Sequence, residues 1–343
     1  MSDRLVICLH DYSGFIRIYL RYSVYLSGVL DVTTGAGSLT KMSLPENVAK
    51  LLDRILVENP LHRRFIQAAL THLTAEELDH FATYLRYCSA KGLDMEFMAR
   101  CYLTIVEDTL REQIYFMANK EYRHKCFADV AGDVYFNEEY MNQYMYGLAI
   151  TSFLWPNHVG LTRYFKETFP RNKRGNYLEI GPGHGYHIMT AMQIGKFDKY
   201  LGIDISKASI KQTRSIIDHF QPRLKSRFRL ELTDFLEADK LEKHSFDSIV
   251  MGEVLEHVER PEKFLRRVAE LAKSDAYIFI TTCINAPAVD HIYLWRTAND
   301  LENMIRACGL SIKNSLYLTV EGKTIEEATA EAFAVNVAYV LGV

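Results

Sequence analysis

A glycine-rich segment near the middle of the chain has the spacing of a ligand-binding turn. Gly181, Gly183 and Gly185 follow a short apolar stretch, and Glu179 lies two residues before the first glycine. Glycine permits positive φ and lets a ligand approach the backbone without meeting a Cβ. A carboxylate beside the turn would repel a pyrophosphate, and Tyr186 replaces the last glycine of the dinucleotide pattern G-x-G-x-x-G. The turn therefore favours a nucleoside without phosphates over a nicotinamide dinucleotide.

A second acid lies where such a ligand needs one. Asp204 ends the next apolar stretch, about twenty residues after the turn, which is the distance expected for an acid that binds ribose. An ionised Asp can accept hydrogen bonds from both ribose hydroxyls, and charge-assisted bonds of this kind are strong.

With Glu-x-Gly-x-Gly-x-Gly at one strand end and Asp204 at the next, the chain resembles the class I S-adenosylmethionine-dependent methyltransferases over about residues 155–343. The resemblance implies S-adenosyl-L-methionine as the cofactor, with Glu179 near its methionine end and Asp234 near its adenine amino group. The cofactor-binding residues that it implies are Glu179, Gly181, Gly183, Gly185, Asp204, Ile205, Asp234, Phe235, Met251 and Glu253.

Two glutamates and two histidines form the most reactive set of side chains in the sequence. Glu253, Glu256 and His257 have the spacing i, i+3 and i+4 and are expected on one helical face. His291 follows the next predicted strand and is expected on the same rim. One interpretation makes His257 or His291 a general base, because imidazole has an unperturbed pKa of roughly 6.5. Glu256 then assists catalysis or has a purely structural role.

The same pattern also resembles two metal-dependent groups of the superfamily, the ubiquinone-pathway O-methyltransferases and the small-RNA 2′-O-methyltransferases. By that resemblance Glu253, Glu256, His257 and His291 would bind a divalent ion and clamp vicinal hydroxyls, as in a catechol or an RNA 2′-OH. Two carboxylates and two imidazoles suit Mg²⁺, Mn²⁺ or Fe²⁺ better than tetrahedral zinc.

The apolar segments that hold these residues alternate with helical ones. Strands are predicted at 177–180, 200–206, 228–234, 246–251, 276–282, about 310–318 and about 333–341. Helices are predicted at about 184–194, from Pro261 onward and at 297–308. The pattern predicts an α/β fold with a doubly wound, seven-stranded, mostly parallel sheet, Rossmann-like as in the methyltransferases. Every motif above falls at the carboxyl end of a strand, where ligands of such sheets bind.

The amino-terminal half has no catalytic motif and reads as helices. Residues 43–126 show apolar periodicity near 3.6 and are expected to form a helical bundle that packs for its own stability or for homodimerisation. Residues 127–157 are rich in Tyr, Phe and Met and are predicted to be an aromatic lid over the acceptor. The methyltransferase domain is placed at 158–343.

Residues 1–42 have a different composition and are treated as a separate amino-terminal extension. Arg17 and Arg21 interrupt their longest apolar stretch, so neither a membrane span nor a signal peptide is expected. Because the helical pattern begins directly after Met42, one hypothesis makes Met42 the true start. The alternative is a β-rich arm.

The composition narrows the class of function. The chain has 343 residues and a formal net charge of −3, which argues against general nucleic-acid binding. Its six cysteines include no C-x-x-C pair, which suits a reducing, cytoplasmic location. The leading hypothesis is a methyltransferase that acts on O, N or C of a small-molecule acceptor. The alternative from another class is a non-catalytic S-adenosylmethionine-binding protein that recruits a partner.

Overall fold

The carboxyl-terminal half forms one seven-stranded sheet. The computed structural model describes residues 44–319 and 323–343, so the predictions on residues 1–42 lie outside the described part. The strand order is β3-β2-β1-β4-β5-β7-β6, and only β7 is antiparallel to its neighbours. The strands are β1 Asn176–Ile180, β2 Lys199–Asp204, β3 Phe228–Leu232, β4 Phe246–Gly252, β5 Ala272–Ile284, β6 Ser311–Leu318 and β7 Val335–Gly342. The predicted fold class is confirmed.

The strand register brings the predicted motifs to one edge. Ile180 at the end of β1 pairs with Ile203 of β2 on one side and with Met251 of β4 on the other. Since the three strands are parallel, the segments that follow them leave the sheet side by side. The strand order reverses between β1 and β4, because β2 and β3 lie on one side of β1, and β4 and β5 lie on the other. Doubly wound sheets bind ligands at such a position.

Helices cover the sheet and form the amino-terminal region. They are α1 Glu46–Glu58, α2 Arg63–Thr71, α3 Ala75–Ala90, α4 Met95–Asn119, α5 Phe127–Val130, α6 Glu138–Leu154, α7 Pro156–Thr168, α8 Tyr186–Ile194, α9 Lys207–Phe220, α10 Pro261–Leu271, α11 Ala298–Ala307 and α12 Ile325–Ala330. A π-helical turn, Ala131–Tyr135, joins α5 to the segment before α6. None of the helices within residues 44–319 and 323–343 is long and apolar enough to cross a bilayer.

The amino-terminal helices begin at side chains that can cap them. Thr74 and Glu77 form a reciprocal capping box at α3, and Asp94 accepts the backbone N–H of Phe97 at the start of α4. Helix α4 packs against α6 at Gly147, where a Cβ would lie 2.4 Å from the carbonyl oxygen of Cys101. The close approach of these two helices therefore depends on glycine.

The helical region and the sheet share one apolar core. Buried side chains from α1 through α6 are continuous with buried side chains of β1, α8 and β5. Phe153 of α6 packs edge-on against Tyr186 of α8, with ring centroids 5.3 Å apart. The helices are thus held rigidly over the carboxyl edge of the sheet, because core packing of this kind tolerates little displacement.

Two local predictions need correction. Helix α8 begins at Tyr186 instead of His184, since Gly185 takes φ +81° and ends the turn. Residues 253–257 do not form the predicted helical face: Glu253 has φ +50°, and only Leu255–His257 form a single 3₁₀ turn. The backbone N–H of Glu253 is instead bonded to the carbonyl of Thr281 on the neighbouring strand.

Candidate active site

A cavity of about 780 Å³ lies at the carboxyl edge of the sheet. Its floor is formed by the glycine turn after β1 and by the residues that follow β2, β3 and β4. Its roof comes from α4 and α6, and its far wall comes from the loop after β5. The predicted motifs and the predicted lid therefore face the same space.

The glycine turn exposes backbone to the cavity. Gly181 and Gly183 both line the cavity and both have positive φ, +65° and +53°. A Cβ at Gly183 would lie 3.3 Å from the sulfur of Met145 on α6, so the roof approaches the turn closely. A side chain at either position would occupy the space that a ligand needs.

Two aspartates line the cavity on the same side as the glycine turn. Asp204 accepts the backbone N–H of Ser206 at 2.8 Å and of Gly183 at 3.2 Å, which fixes its carboxylate beside the turn. Burial raises the pKa of Asp204 to about 6. Asp234 accepts the backbone N–H of Leu236 at 2.8 Å, and Ile205 and Phe235 line the cavity next to the two acids.

Three residues that were predicted to bind the cofactor lie behind the cavity wall. The carboxylate of Glu179 accepts the hydroxyl of Tyr177 and the backbone N–H of Ile188, and burial raises its pKa to about 8. Gly185 packs against α9, and Met251 is fully buried. Glu179 and Met251 lie within β-strands, where side chains point to the faces of the sheet. They therefore do not reach the cavity at its edge.

The glutamate pair lies beside the loop after β5. The backbone N–H of Glu253 is bonded to the carbonyl of Thr281 at 3.0 Å, which holds this residue in its left-handed conformation. Glu256 is fully buried, and Thr282 Oγ1 donates to its Oε2 at 2.7 Å. Its Oε1 has no hydrogen-bond partner among the described residues. Burial and the neighbouring Glu253 raise the pKa of Glu256 well above its usual value.

His257 is held by an aspartate that the sequence did not single out. Its Nδ1 lies 3.1 Å from the backbone carbonyl oxygen of Asp290 and 3.3 Å from the carboxylate Oδ2 of the same residue. A carbonyl can only accept, so Nδ1 carries the proton of the neutral ring. Nε2 hydrogen-bonds to no described residue and keeps its lone pair, and His257 lines the cavity.

Asp290 also ties this histidine to the roof. Its carboxylate accepts the hydroxyls of Tyr135 at 3.1 Å and Tyr144 at 3.3 Å, and Asp290 is only 2% exposed. The π-helical turn and α6 supply these two tyrosines. The roof and His257 are therefore anchored on one buried carboxylate.

His291 has a parallel arrangement. Its Nδ1 lies 2.5 Å from the carbonyl oxygen of Ala286, so this ring too carries its neutral proton on Nδ1 and leaves Nε2 as an acceptor. Its ring contacts that of His257 edge-on, with centroids 4.8 Å apart. Burial and the nearby His257 lower the pKa of His291 to about 4. The thiol of Cys283, whose pKa burial raises, lies 3.7 Å from Nδ1.

The four residues predicted as metal ligands come together through tertiary contacts. The ligand atoms of Glu256, His257 and His291 lie within 4.8 Å of one another, and so do those of Glu253, Glu256 and Cys283. Glu256 belongs to both groups. The sequence missed Cys283, because it lies inside β5 and no local pattern marks it.

Other residues of the cavity wall were also missed or set aside. His184 and His187 line the cavity together with His158 of α7, and burial lowers the pKa of these three rings to about 3, 4 and 4. They are neutral at physiological pH. Asp290 had one available signal, its position beside His291 in a loop after a buried strand.

Comparison with known proteins agrees with this geometry. Residues 171–329 match the family model described as a methyltransferase domain. Residues 171–329 are therefore a methyltransferase domain, as the resemblance predicted. None of the curated proteins matches the sequence.

Solved structures similar to this chain have low sequence identity. A SAM-dependent methyltransferase from Aquifex aeolicus aligns over 53% of this chain and 89% of its own, with 15% identity and a TM-score of 0.40. Geranyl diphosphate C-methyltransferase from Streptomyces coelicolor A3(2), in complex with Mg²⁺, geranyl diphosphate and S-adenosyl-L-homocysteine, aligns over 57% of this chain and 83% of its own. Its identity is 10% and its TM-score is 0.46.

The residues of the methyltransferase domain fit its cofactor. Gly181 and Gly183 leave backbone open where a Cβ would fill the space, and Asp204 holds a carboxylate beside them. Gly252, at the end of β4, lines the cavity where a Cβ would lie 3.1 Å from Nδ1 of His187.

Proposed function

We propose that this methyltransferase transfers a methyl group to a hydroxyl of a small acceptor bound under α6, with His257 as the general base. The observation that carries the proposal is the position of His257. His257 lines the same cavity as the glycine turn and Asp204, and its Nε2 carries no proton in the neutral ring. A base within reach of both reactants is what such a reaction requires.

The cofactor half of the cavity uses the backbone of Gly181 and Gly183, with Asp204 for the ribose hydroxyls and Asp234 near the adenine. When bound, S-adenosyl-L-methionine supplies a methyl group on a positively charged sulfur. The neutral rings of His184 and His187 line this half without adding positive charge next to that sulfonium.

Asp290 is the positioning residue for His257. By accepting at Nδ1 it fixes the tautomer and the ring orientation, and it stabilises the imidazolium that forms when Nε2 takes the acceptor proton. Tyr135 and Tyr144 hold Asp290 in turn, so closure of the roof and alignment of the base are linked.

The charges around the cavity favour a neutral acceptor. Glu253 and Asp290 line the cavity, whereas the Lys and Arg side chains of the described wall, Arg260 and Lys263, are exposed. An anionic acceptor would meet buried carboxyl groups without a compensating cation. Apolar roof residues such as Met141, which is 3% exposed, suit a compact and partly apolar molecule.

A methyl-transfer assay tests this function. The protein is incubated with S-adenosylmethionine labelled in its methyl group and with panels of phenols, catechols and alkyl amines, and His257→Ala and His80→Ala are compared. His80 lies on α3 outside the cavity and serves as the matched control. Transfer to a phenol or catechol that His257→Ala abolishes and His80→Ala preserves supports the proposal. Equal transfer by all three proteins would refute it.

A second candidate is metal assistance at the same site, with Glu253, Glu256, His257 and His291 as ligands. It is favoured by the Oε1 of Glu256, which has no partner among the described residues, and by the ligand atoms of Glu256, His257 and His291, which lie within 4.8 Å of one another. Histidine ligands usually have their other nitrogen bonded to a carbonyl or carboxylate, as both do here. A bound divalent ion would lower the pKa of an acceptor hydroxyl and orient vicinal hydroxyls.

Calorimetric titration of metal-stripped protein with Mg²⁺, Mn²⁺ and Fe²⁺ separates the two candidates. A binding signal that His291→Ala removes supports metal assistance. The absence of any signal with all three ions leaves His257 as a metal-free base.

The remaining predictions on assembly and location stay predictions. Homodimerisation through the helical region is supported by two exposed apolar side chains, Val57 and Leu61, which are 68% and 54% exposed. Sedimentation at several protein concentrations would test it. A cytoplasmic location is supported by five free cysteines in the described residues.

A further inference from the structure

One face of α4 points polar side chains into the cavity. Ile105, Thr109 and Gln113 follow each other at intervals of four residues and all three line the cavity roof. Residues four apart lie on the same face of a helix, with Cβ atoms about 5–6 Å apart. The hydroxyl of Thr109 and the carboxamide of Gln113 are therefore within reach of a single ligand group.

Neither of these two side chains hydrogen-bonds to another described residue. Gln113 is only 3% exposed, and it lines the cavity. An amide that loses water to a bound ligand without gaining a partner costs about 1–3 kcal/mol. Protein interiors rarely leave such groups unpaired, and a ligand is one of the partners that can complete them.

The buried acids on other faces of the same helix provide the contrast. Asp108 accepts from Arg111 at 2.6 Å and from the hydroxyl of Tyr140 at 2.5 Å. Glu112 accepts from Arg123 at 2.9 Å. Every buried acid around Gln113 thus has its partner, and the unpaired amide is the one that lines the cavity.

The chemistry of this pair defines its ligand. A carboxamide donates through its NH₂ group and accepts through its oxygen, and a hydroxyl does both as well. The complementary neutral group is another amide, which also donates and accepts in one plane. A carboxylate could use only the donors, and an ammonium could use only the acceptors.

We propose that Gln113, assisted by Thr109, binds a neutral amide group of the acceptor, either a carboxamide or a peptide bond, and so determines its specificity. The inference rests on the proposed function, because it names the substrate class of the same cavity. Gln113 belongs to α4, whereas the residues that bind the cofactor follow β1, β2 and β3. Its amide does not titrate, so its role is to bind the acceptor and it takes no part in proton transfer.

Binding of two phenols of similar size tests the proposal without turnover. The probes are 4-hydroxybenzamide, which carries the amide, and 4-isopropylphenol, which replaces it with an apolar group that has the same number of heavy atoms. Their affinities for protein saturated with S-adenosylhomocysteine are measured by ligand-observed NMR, for wild type, Gln113→Met and Gln143→Met. Gln143 lies on α6 outside the cavity wall and is the matched control.

We expect Gln113→Met to lower the affinity for 4-hydroxybenzamide by about tenfold relative to the affinity for 4-isopropylphenol, because the hydrogen bonds to the Gln113 amide are lost. Gln143→Met should leave the ratio of the two affinities unchanged. Gln113→Met should also melt no lower than wild type, because its amide has no partner in the free protein. Thr109→Val should shift the ratio in the same direction by a smaller factor.

An equal change for both phenols, or an unchanged ratio in Gln113→Met, would overturn the proposal. Failure of the proposed function looks different. In that case methyl transfer is absent or independent of His257, whereas the preference for the amide probe persists.

Discussion

Buried ionisable side chains decide the chemistry of this cavity one residue at a time. Asp204 has its pKa raised to about 6 and is ionised at neutral pH, whereas burial holds Glu256 protonated over a far wider range of pH. The first can accept from ribose hydroxyls as a carboxylate, and the second needs a cation before it ionises. Two acids in one cavity thus have different roles because their surroundings differ.

Cofactor affinity should depend on pH through Asp204. The pKa of Asp204 lies near 6, so its carboxylate is ionised above that pH and protonated below it. We expect the affinity for S-adenosylhomocysteine to be constant at pH 7–8 and to fall as the pH drops through 6. Calorimetry at pH 5.0–8.0 measures this fall. Asp204→Asn should bind weakly at every pH, and a wild-type affinity that is flat over the range would contradict the assignment.

Removal of His257 and loss of its orientation should have separable effects. His257→Ala should lower kcat by roughly 100- to 10,000-fold, the usual contribution of a general base. Asp290→Asn should lower kcat by at least about tenfold with little change in the KM for S-adenosylmethionine, since the backbone carbonyl still holds the base but the carboxylate that stabilises its imidazolium is lost. Steady-state kinetics with the phenol identified in the methyl-transfer assay measure both. An equal loss of cofactor affinity in Asp290→Asn would point to a structural role instead.

At the scale of elements, the site depends on how closely α6 lies against α4 and against the glycine turn. Gly147 permits the first contact, and Met145 of the same helix makes the second, 3.3 Å from where a Cβ of Gly183 would be. One helix thereby fixes the height of the roof over the cofactor half.

Gly147→Ala should destabilise the protein by about 1–3 kcal/mol, because the new methyl group would overlap Cys101 and Ile105 of α4. Gly132 is the matched control, since a Cβ there meets nothing within 4 Å. Urea unfolding at equilibrium measures both changes. If Gly147→Ala is as stable as Gly132→Ala, then the two helices are not packed as closely as described.

The tyrosines of α6 allow a test of the link between roof and base. Tyr144→Phe removes the hydroxyl that donates to Asp290, and we expect it to lower kcat. The lost hydrogen bond contributes about 0.5–1.5 kcal/mol. Tyr140→Phe, on the same helix, removes a hydroxyl that is bonded to Asp108 outside the cavity and should preserve kcat. Equal kcat values in the two variants would show that the roof does not affect the general base.

Local patterns in the sequence are sufficient for most of these elements but not for the turn after β4. Apolar runs ending in Gly181, Asp204 and Gly252 predict strands and their common edge, because every parallel strand ends there. The helical face expected for Glu253–His257 was wrong, since a bond from Glu253 to Thr281 of the neighbouring strand holds Glu253 at φ +50°. That contact joins residues 28 positions apart, so the spacing of residues within 253–257 cannot predict it.

At the scale of the whole molecule, the cavity belongs to two regions that share one core. Asp290 and Gln113 complete it from a loop and from a distant helix, and neither lies in a motif. Their roles depend on which elements face each other across the cavity. Seven of the ten residues predicted to bind the cofactor line the cavity, whereas the acceptor half required the tertiary structure.

The most direct test of the account is a calorimetric titration of metal-stripped protein with S-adenosylhomocysteine, with Asp204→Asn and Asp198→Asn measured beside it. Asp198 precedes β2 and lies outside the cavity, so it controls for the loss of one carboxylate. The account predicts one saturable site in wild type and in Asp198→Asn, and a large loss of affinity in Asp204→Asn. Absence of binding in wild type, or undiminished binding in Asp204→Asn, would contradict the placement of the cofactor on which the proposed chemistry depends.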